Sequence, residues 1–268
     1  MTVTRRATLG MALAAAATVA ASCTRAARST RTTGGSPPRS HPPTRAVTSA
    51  AGTSNAASPP STSAPGAAGP AAQIAHGPRT RPEVALTFHG AGDPAIARDL
   101  LAVFAAHHAQ VTVLAVGSWL AANPGIAGEI VAAGHELGNH TYHHLDIDSL
   151  DAVAARAEIV RCRDLLVSQV GSPGAYFRQS QARLATPLVR SLAGAAGYRT
   201  CLSYDVDSLD YTDPGPDIVR AHTGAAQPGS IVSMHFGHRG TVQAMPAILD
   251  DLAAHRLRPV GAGILLRP

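Results

Sequence analysis

From Glu83 onward, short apolar runs alternate with longer amphipathic stretches, and this alternation restricts the possible folds more than any other feature of the chain. The first run, Val84-Ala85-Leu86-Thr87-Phe88, stops at His89-Gly90-Ala91-Gly92-Asp93-Pro94 and reads as a buried strand feeding a polar loop. Pro94 stands where a first helical residue belongs, with Asp93 as its N-cap, and a helix over 94–107 follows. The pattern then predicts strand 111–116, a helix over 119–133, a short strand entering a His-rich loop, and helix 149–170. Strand 175–178, helix 185–196, strand 200–204, a short helix near 217–225, strand 230–235, helix 241–255 and strand 259–262 complete it. Seven strands separated by helices imply an α/β fold, a parallel sheet covered by helices and either doubly wound or closed as a barrel. In both architectures the chemistry gathers in loops at the carboxyl ends of the strands. His89 and Asp93 follow the first strand, His140 and His144 the third, and Arg178 ends the fourth. Asp205 and Asp207 end the fifth and His235 the sixth. That convergence marks a candidate active site.

Charge divides the chain. All 22 basic residues are Arg; residues 1–80 carry eight of them and no acid, a charge of +8, while residues 81–268 carry 14 against 17 acids, a charge of −3. The basic character belongs to the N-terminal part and not to the folded surface, which argues against a nucleic-acid partner. Arg5-Arg6 precede an Ala-rich apolar run, and only 16 residues separate Arg6 from Cys23, too few to span a bilayer. Residues 1–23 therefore read as an export signal. The paired Arg resembles a twin-arginine signal, with Thr8 where Phe is usual. Ala20-Ala21-Ser22-Cys23 resembles a lipoprotein cleavage box, so membrane contact is expected only through a lipid on Cys23, with simple cleavage and secretion as the other outcome. Residues 24–80, rich in Ser, Thr, Pro and Ala with almost no large apolar side chain, read as a disordered stalk, and 81–268 as the catalytic domain. Cys162 and Cys201 remain either as a disulfide or as two separate buried thiols.

The densest polar motif is Gly138-Asn139-His140-Thr141-Tyr142-His143-His144. His140 and His144 stand at i and i+4, so one helical turn, or a tight loop approximating one, points both rings the same way, a spacing suited to a divalent metal. The inner Glu of zinc proteases is absent.

With these residues in view, residues 82–265 resemble the polysaccharide deacetylase family, also called NodB-homology or family 4 carbohydrate esterases. Residues 84–88 match the strand before the family's first motif, and 139–144 match its metal-binding second motif. Tyr176-Phe177-Arg178 matches the start of the third. Asp207-Ser208-Leu209-Asp210-Tyr211 is similar to the fourth, with Tyr for Trp, and Ile231-Val232-Ser233-Met234-His235 matches the fifth. The resemblance implies an irregular, TIM-barrel-like (β/α)7 barrel and a metal-dependent deacetylase. Two places depart from it: His89-Gly90 replace a pair of Asp residues, and Gln179-Ser180-Gln181 follow Arg178 where Pro and an aromatic are usual.

The resemblance places a divalent ion, zinc first with cobalt or manganese as alternatives, on His140 and His144, with Asp93 as the nearest carboxylate to complete the set. Three protein ligands leave open positions for water and substrate. His235 is expected to protonate the leaving amine, with Asp207 orienting it. His89 occupies the place of the family's base, where it can act as base, bond to the metal's water or join the ligands. Arg178, which would normally pair with that base, is expected to turn to Asp93. Asp205 and Asp210 are read as loop-capping or solvated, His143 and His238 as lining the cleft, and His135 as structural. His107, His108 and His255 fall near helix ends, where a cation suits the dipole. The expected function is an exported deacetylase acting on N-acetyl or O-acetyl groups of a cell-wall or related polysaccharide. The alternative is a wall-associated carbohydrate-binding protein that lost catalysis with the paired Asp.

Overall fold

The computed structural model describes residues 69–268. In chain order its elements are β1 (Ala72–Ile74), β2 (Glu83–Gly90), α1 (Pro94–Ala106), β3 (Thr112–Ala115), α2 (Gly117–Ala122), α3 (Ile126–Ala132) and β4 (Glu136–Asn139). They continue with α4 (Ala152–Val170), β5 (Tyr176–Phe177), α5 (Pro187–Ala195), β6 (Thr200–Leu202), β7 (Val206–Asp207), α6 (Pro216–Thr223), β8 (Ile231–His235), α7 (Arg239–Ala254), β9 (Arg258–Pro259) and α8 (Ala262–Leu265).

The strands form one curled parallel sheet in the order β1-β6-β5-β4-β3-β2-β8-β7, with β9 added beside the start of β2. β1 and β7 lie at opposite ends of that order, so the barrel is incomplete, which agrees with the irregular (β/α) barrel expected. β2 sits at the centre of the packing because both its faces are covered: of its eight residues only His89 is more than marginally exposed. Below the sheet, Phe88 packs between Phe104 of α1 and Phe236, with both ring centroids 5.2 Å away. Helix starts follow local chemistry. The Asp93 carboxylate accepts from the amide of Ala95 ahead of Pro94, and Asp151 accepts from those of Val153 and Ala154 at the start of α4.

Four expectations change. The helix over 119–133 is two helices, because Asn123-Pro124-Gly125 interrupts it and Gly125 takes φ 95°, a left-handed conformation that glycine adopts without a Cβ penalty. β7 is a strand of its own, and the final strand shrinks to two residues. The ordered fold also begins before residue 81, since β1 pairs with β6 in register from Ala72 opposite Thr200 to Ile74 opposite Leu202. Residues 69–80 thus belong to the domain and not to a stalk. The export signal, Cys23 and the rest of the expected stalk lie outside the described residues. Cys162 and Cys201 are separate buried thiols, pushed up by burial to about 12 and about 11.

Register now fixes the site. His89 lies directly opposite His235 across β2 and β8, so both side chains leave the same face of the sheet. Asn139 pairs with Phe177, which places the His140 loop beside Arg178.

Candidate active site

The loop leaving β4 is a tight turn and not a helical one. Thr141 and His144 both take positive φ, 64° and 58°, at a cost of about 1–3 kcal/mol each. α4 holds this shape. Buried Glu158 accepts the amides of Tyr142 at 3.1 Å and His143 at 2.6 Å on Oε2, and its Oε1 lies 2.7 Å from His143 Nδ1. Arg161 covers the Tyr142 ring at 3.9 Å. Asn139 ties the base of the turn: its Nδ2 donates to the Ile159 carbonyl and the Tyr198 hydroxyl, and its Oδ1 accepts from Thr141 N.

This turn brings His140 and His144 to His89, the three ligand atoms all lying within 4.8 Å of one another. The rings of His89 and His140 are 4.1 Å apart, those of His140 and His144 4.7 Å. His140 Nδ1 donates to the carbonyl of Arg178 at 3.0 Å, which leaves Nε2 with its lone pair, buried and without a partner. Burial is the main cause that lowers the pKa of His89, His140 and His144; neighbouring charge, mutual and from Arg178, adds to it for His89 and His140. Neutral rings with a free buried nitrogen suit a divalent ion.

His89 carries a condition. Arg178 is 1% exposed and donates through Nε to Leu202 O at 2.7 Å, and through Nη2 to Thr87 Oγ1 at 2.8 Å and Ser203 O at 3.2 Å. Its Nη1 lies 3.2 Å from His89 Nε2. A guanidinium only donates, so Nε2 accepts, and the single proton of the neutral ring sits on Nδ1, which is buried without a partner. The only lone pair of His89 is therefore engaged, and ligation through this ring requires Arg178 to withdraw. Among the described residues Arg178 forms no ion pair with a carboxylate. Burial lowers its pKa to about 10, so it remains charged at neutral pH.

Several expected placements change. Asp93 is exposed and engaged as the cap of α1; it joins neither the histidines nor Arg178, which turns to His89 instead. Asp207 does not orient His235. Its Oδ1 accepts from Leu209 N at 3.0 Å in a local turn, although the residue does face the cavity. The orienting residue is Asp210: Oδ1 lies 2.7 Å from His235 Nδ1, while Oδ2 accepts from His235 N and Thr241 Oγ1. Burial pushes the Asp210 carboxyl up, but these bonds outweigh it and its pKa falls. The short 3₁₀ turn over Asp210–Thr212 carries this carboxylate back under β8. His143 and His238 are held by Glu158 and Asp213 and do not line the cavity. Asp205, read as loop-capping or solvated, accepts from Arg79, Ser230 and the amide of Ile231, and His135 is buried beside Phe104.

Gly90 leaves little room for a side chain of any kind. A Cβ there would meet Val113 Cγ1 at 3.0 Å, Ala115 Cα at 3.1 Å and Trp119 Cζ3 at 3.1 Å. The strand continues through Gly90, so it faces away from His89, and Trp119 fills the space while donating to Gly92 O at 2.8 Å.

Glu158 was not singled out from the sequence, yet it left a signal. It falls on the buried face of α4 formed by Ala155, Ile159, Cys162 and Leu166, where an acid without a task would be costly. The cavity over the site has a volume of about 390 Å³ and is lined by His89, His144, Gln179, Asp207, Tyr211 and His235 among others.

Fold and site together define a curled parallel α/β barrel with a histidine-rich cavity at its carboxyl face. A family model described as Polysaccharide deacetylase matches residues 76–201. A chitooligosaccharide deacetylase from Rhizobium leguminosarum bv. trifolii is 32% identical over 154 residues, covering 57% of this chain and 70% of that one. A peptidoglycan-N-acetylglucosamine deacetylase from Bacillus cereus is 28% identical over 195 residues, covering 71% and 91%. The crystal structure of a CE4 family pseudoenzyme from Bacillus anthracis has a TM-score of 0.69 at 23% identity, covering 73% and 69%, and shows the shared fold. The chain belongs to the polysaccharide deacetylase family, the NodB-homology group.

Proposed function

We propose that this chain is an exported, metal-dependent deacetylase that hydrolyses N-acetyl or O-acetyl groups on a cell-wall or related polysaccharide. The observation that carries the reading is the pairing of buried Asp210 with the half-buried His235, whose imidazole stands 4.4 Å, ring to ring, from His89 at the edge of the cavity. With Nδ1 tied to Asp210, His235 has Nε2 left for the substrate. Because Arg178 occupies the lone pair of His89, His235 takes the proton from the attacking water and returns it to the departing nitrogen or oxygen, and Asp210 stabilises the imidazolium between the two steps. A divalent ion would be held by His140 and His144, with His89 joining once Arg178 withdraws. An all-imidazole set favours zinc or cobalt over manganese. When bound, the ion supplies Lewis-acid activation of the acetyl group and of water. Until it withdraws, Arg178, charged and held by four acceptors, keeps His89 in place. The N-terminal Arg5-Arg6 and Cys23 support export, with a lipid anchor or cleavage as its two ends.

A second reading, a wall-associated carbohydrate-binding protein without catalysis, is favoured by one observation: no carboxylate joins the three histidines among the described residues. One experiment separates the two. The full chain is loaded with zinc, cobalt or manganese, its metal content is measured by elemental analysis, and acetate release is followed from N-acetylglucosamine oligomers and from peptidoglycan. About one ion per chain, lost in His140→Ala, with acetate released, supports the deacetylase. Saturable glycan binding without acetate, with or without metal, sinks it and supports the second reading.

A further inference from the structure

Between β5 and α5 the chain runs through Gln179-Ser180-Gln181-Ala182-Arg183, the stretch that departs from the family pattern after Arg178. It is tied down along its length. Ser180 Oγ donates to the carbonyl of Leu145, and Gln181 Nε2 donates to that of His144 at 2.9 Å, so the stretch is held against the loop of His140 and His144. The carbonyl of Arg183 accepts from both Gln179 Nε2 and Ser203 Oγ. Arg183 therefore leaves a fixed backbone, and its Cα lies within about 7 Å of that of Gln181, the reach of two residues. Its guanidinium is aimed in turn: Nε donates to the carbonyl of Tyr204 at 3.3 Å, and Cζ lies 5.8 Å from the centre of the Tyr204 ring. Arg183 is exposed and lines the cavity together with His144 and His235. Among the described residues its two Nη atoms have no acceptor, and the side chain forms no ion pair. Asp207, the one acid of the lining, does not neutralise it and is engaged through Oδ1 by Leu209 N. A guanidinium whose Nε is spent still presents a planar pair of Nη donors, which matches the two oxygens of a carboxylate. A phosphate or sulfate has a third oxygen to satisfy, and no second Arg stands in the lining to meet it.

Resting on the deacetylase reading, we propose that Arg183 selects an acidic glycan by binding, at the mouth of the cavity, a carboxylate carried on the sugars whose acetyl group enters toward the histidines. The substrate class is an acetylated amino-sugar chain bearing carboxyl ethers, of the kind found in muramic acid. Because the backbone and Nε of Arg183 are already held, little side-chain freedom is left to lose on binding, and the charge-assisted pair gains accordingly.

The test uses the zinc- or cobalt-loaded full chain and a matched pair of substrates, the disaccharide of N-acetylglucosamine and N-acetylmuramic acid with its lactyl carboxyl either free or as the methyl ester. Acetate release gives the ratio of kcat/KM on the acid to that on the ester. The wild type is expected to favour the acid at least about fivefold, and Arg183→Gln to bring the ratio within about twofold of one. A wild-type ratio near one overturns the proposal. So does a variant that keeps the preference or loses both substrates equally, the result of a packing role alone. Turnover of N-acetylglucosamine trimer but of neither disaccharide also overturns it and leaves the deacetylase reading standing. No acetate from any of the three overturns that reading, and this one with it. A measurement independent of rate titrates the metal-free full chain with the acid and with the ester by calorimetry. Tighter binding of the acid, lost in Arg183→Gln, is expected; equal affinity overturns the proposal.

Discussion

His89 and His235 are register partners on adjacent strands, yet the two halves of the site treat them in opposite ways. The β8 half gives its imidazole a buried carboxylate, Asp210, whose other bonds are satisfied by Thr241 and the His235 amide. The β2 half gives its imidazole a buried guanidinium. A carboxylate accepts the Nδ1 proton and so fixes the tautomer that leaves Nε2 free, whereas a guanidinium takes the lone pair and opposes any added positive charge. The first half pairs its imidazole with a buried acceptor and the second pairs its own with a buried cation. Two neighbouring strand ends can thus present the same residue type in opposite electrostatic surroundings.

The largest expected effect comes from removing the β8 half. His235→Ala should lower kcat by roughly 10³-fold, within the range for a lost general acid–base, with metal content unchanged. Loss of metal in this variant would place His235 among the ligands instead. Asp210→Asn should cost roughly 10²-fold in kcat, while Asp207→Asn costs less than about 10-fold. Measured side by side, the reverse order would return the orienting role to Asp207.

Smaller effects test the β2 half and its support. Glu158→Ala leaves the Tyr142 and His143 amides without their acceptor and should destabilise the fold by about 3 kcal/mol in denaturant titrations. It should also weaken zinc binding by the folded protein, and Glu158→Gln, which keeps an acceptor, should do less of both. His89→Asp gives Arg178 a counter-charge and should raise stability by about 1–2 kcal/mol. Gly90→Asp, pushed against Trp119, should lower it by about 1–3 kcal/mol. Two changes of like sign would mean that the strand face does not decide which position accepts a carboxylate.

The smallest effect is one of pH. Burial holds His89, His140 and His144 below their ordinary value of 6.5, so the unfolded chain binds more protons below that pH. The metal-free protein should therefore be most stable above about pH 6.5. Its stability should fall as pH drops, by up to about 1.4 kcal/mol per unit for each ring. Denaturation in chelator at several pH values checks this, and a flat profile would mean that the rings are not held neutral.

The strand–helix alternation, the position of each site residue at a strand carboxyl end and the His-x-x-x-His pair were all legible, because they depend on local periodicity and spacing. β1 was not, since Ala72-Gln73-Ile74 has no pattern of its own and becomes a strand only against β6. The choice between Asp207 and Asp210 was not legible either. Three residues apart, they differ only in how the Asp210–Thr212 turn folds under β8.

The sequence by itself determined the parallel α/β architecture, the family and the residue types that converge on the cavity. The tertiary structure alone decided partnership: Asp210 and not Asp207 for His235, Arg178 for His89, Glu158 for the loop of His140 and His144, and the exclusion of Asp93 from the histidines. Periodicity follows from the geometry of one segment. A hydrogen bond between residues 89 apart, as with Arg178 and His89, depends on a few tenths of an ångström set by packing between segments.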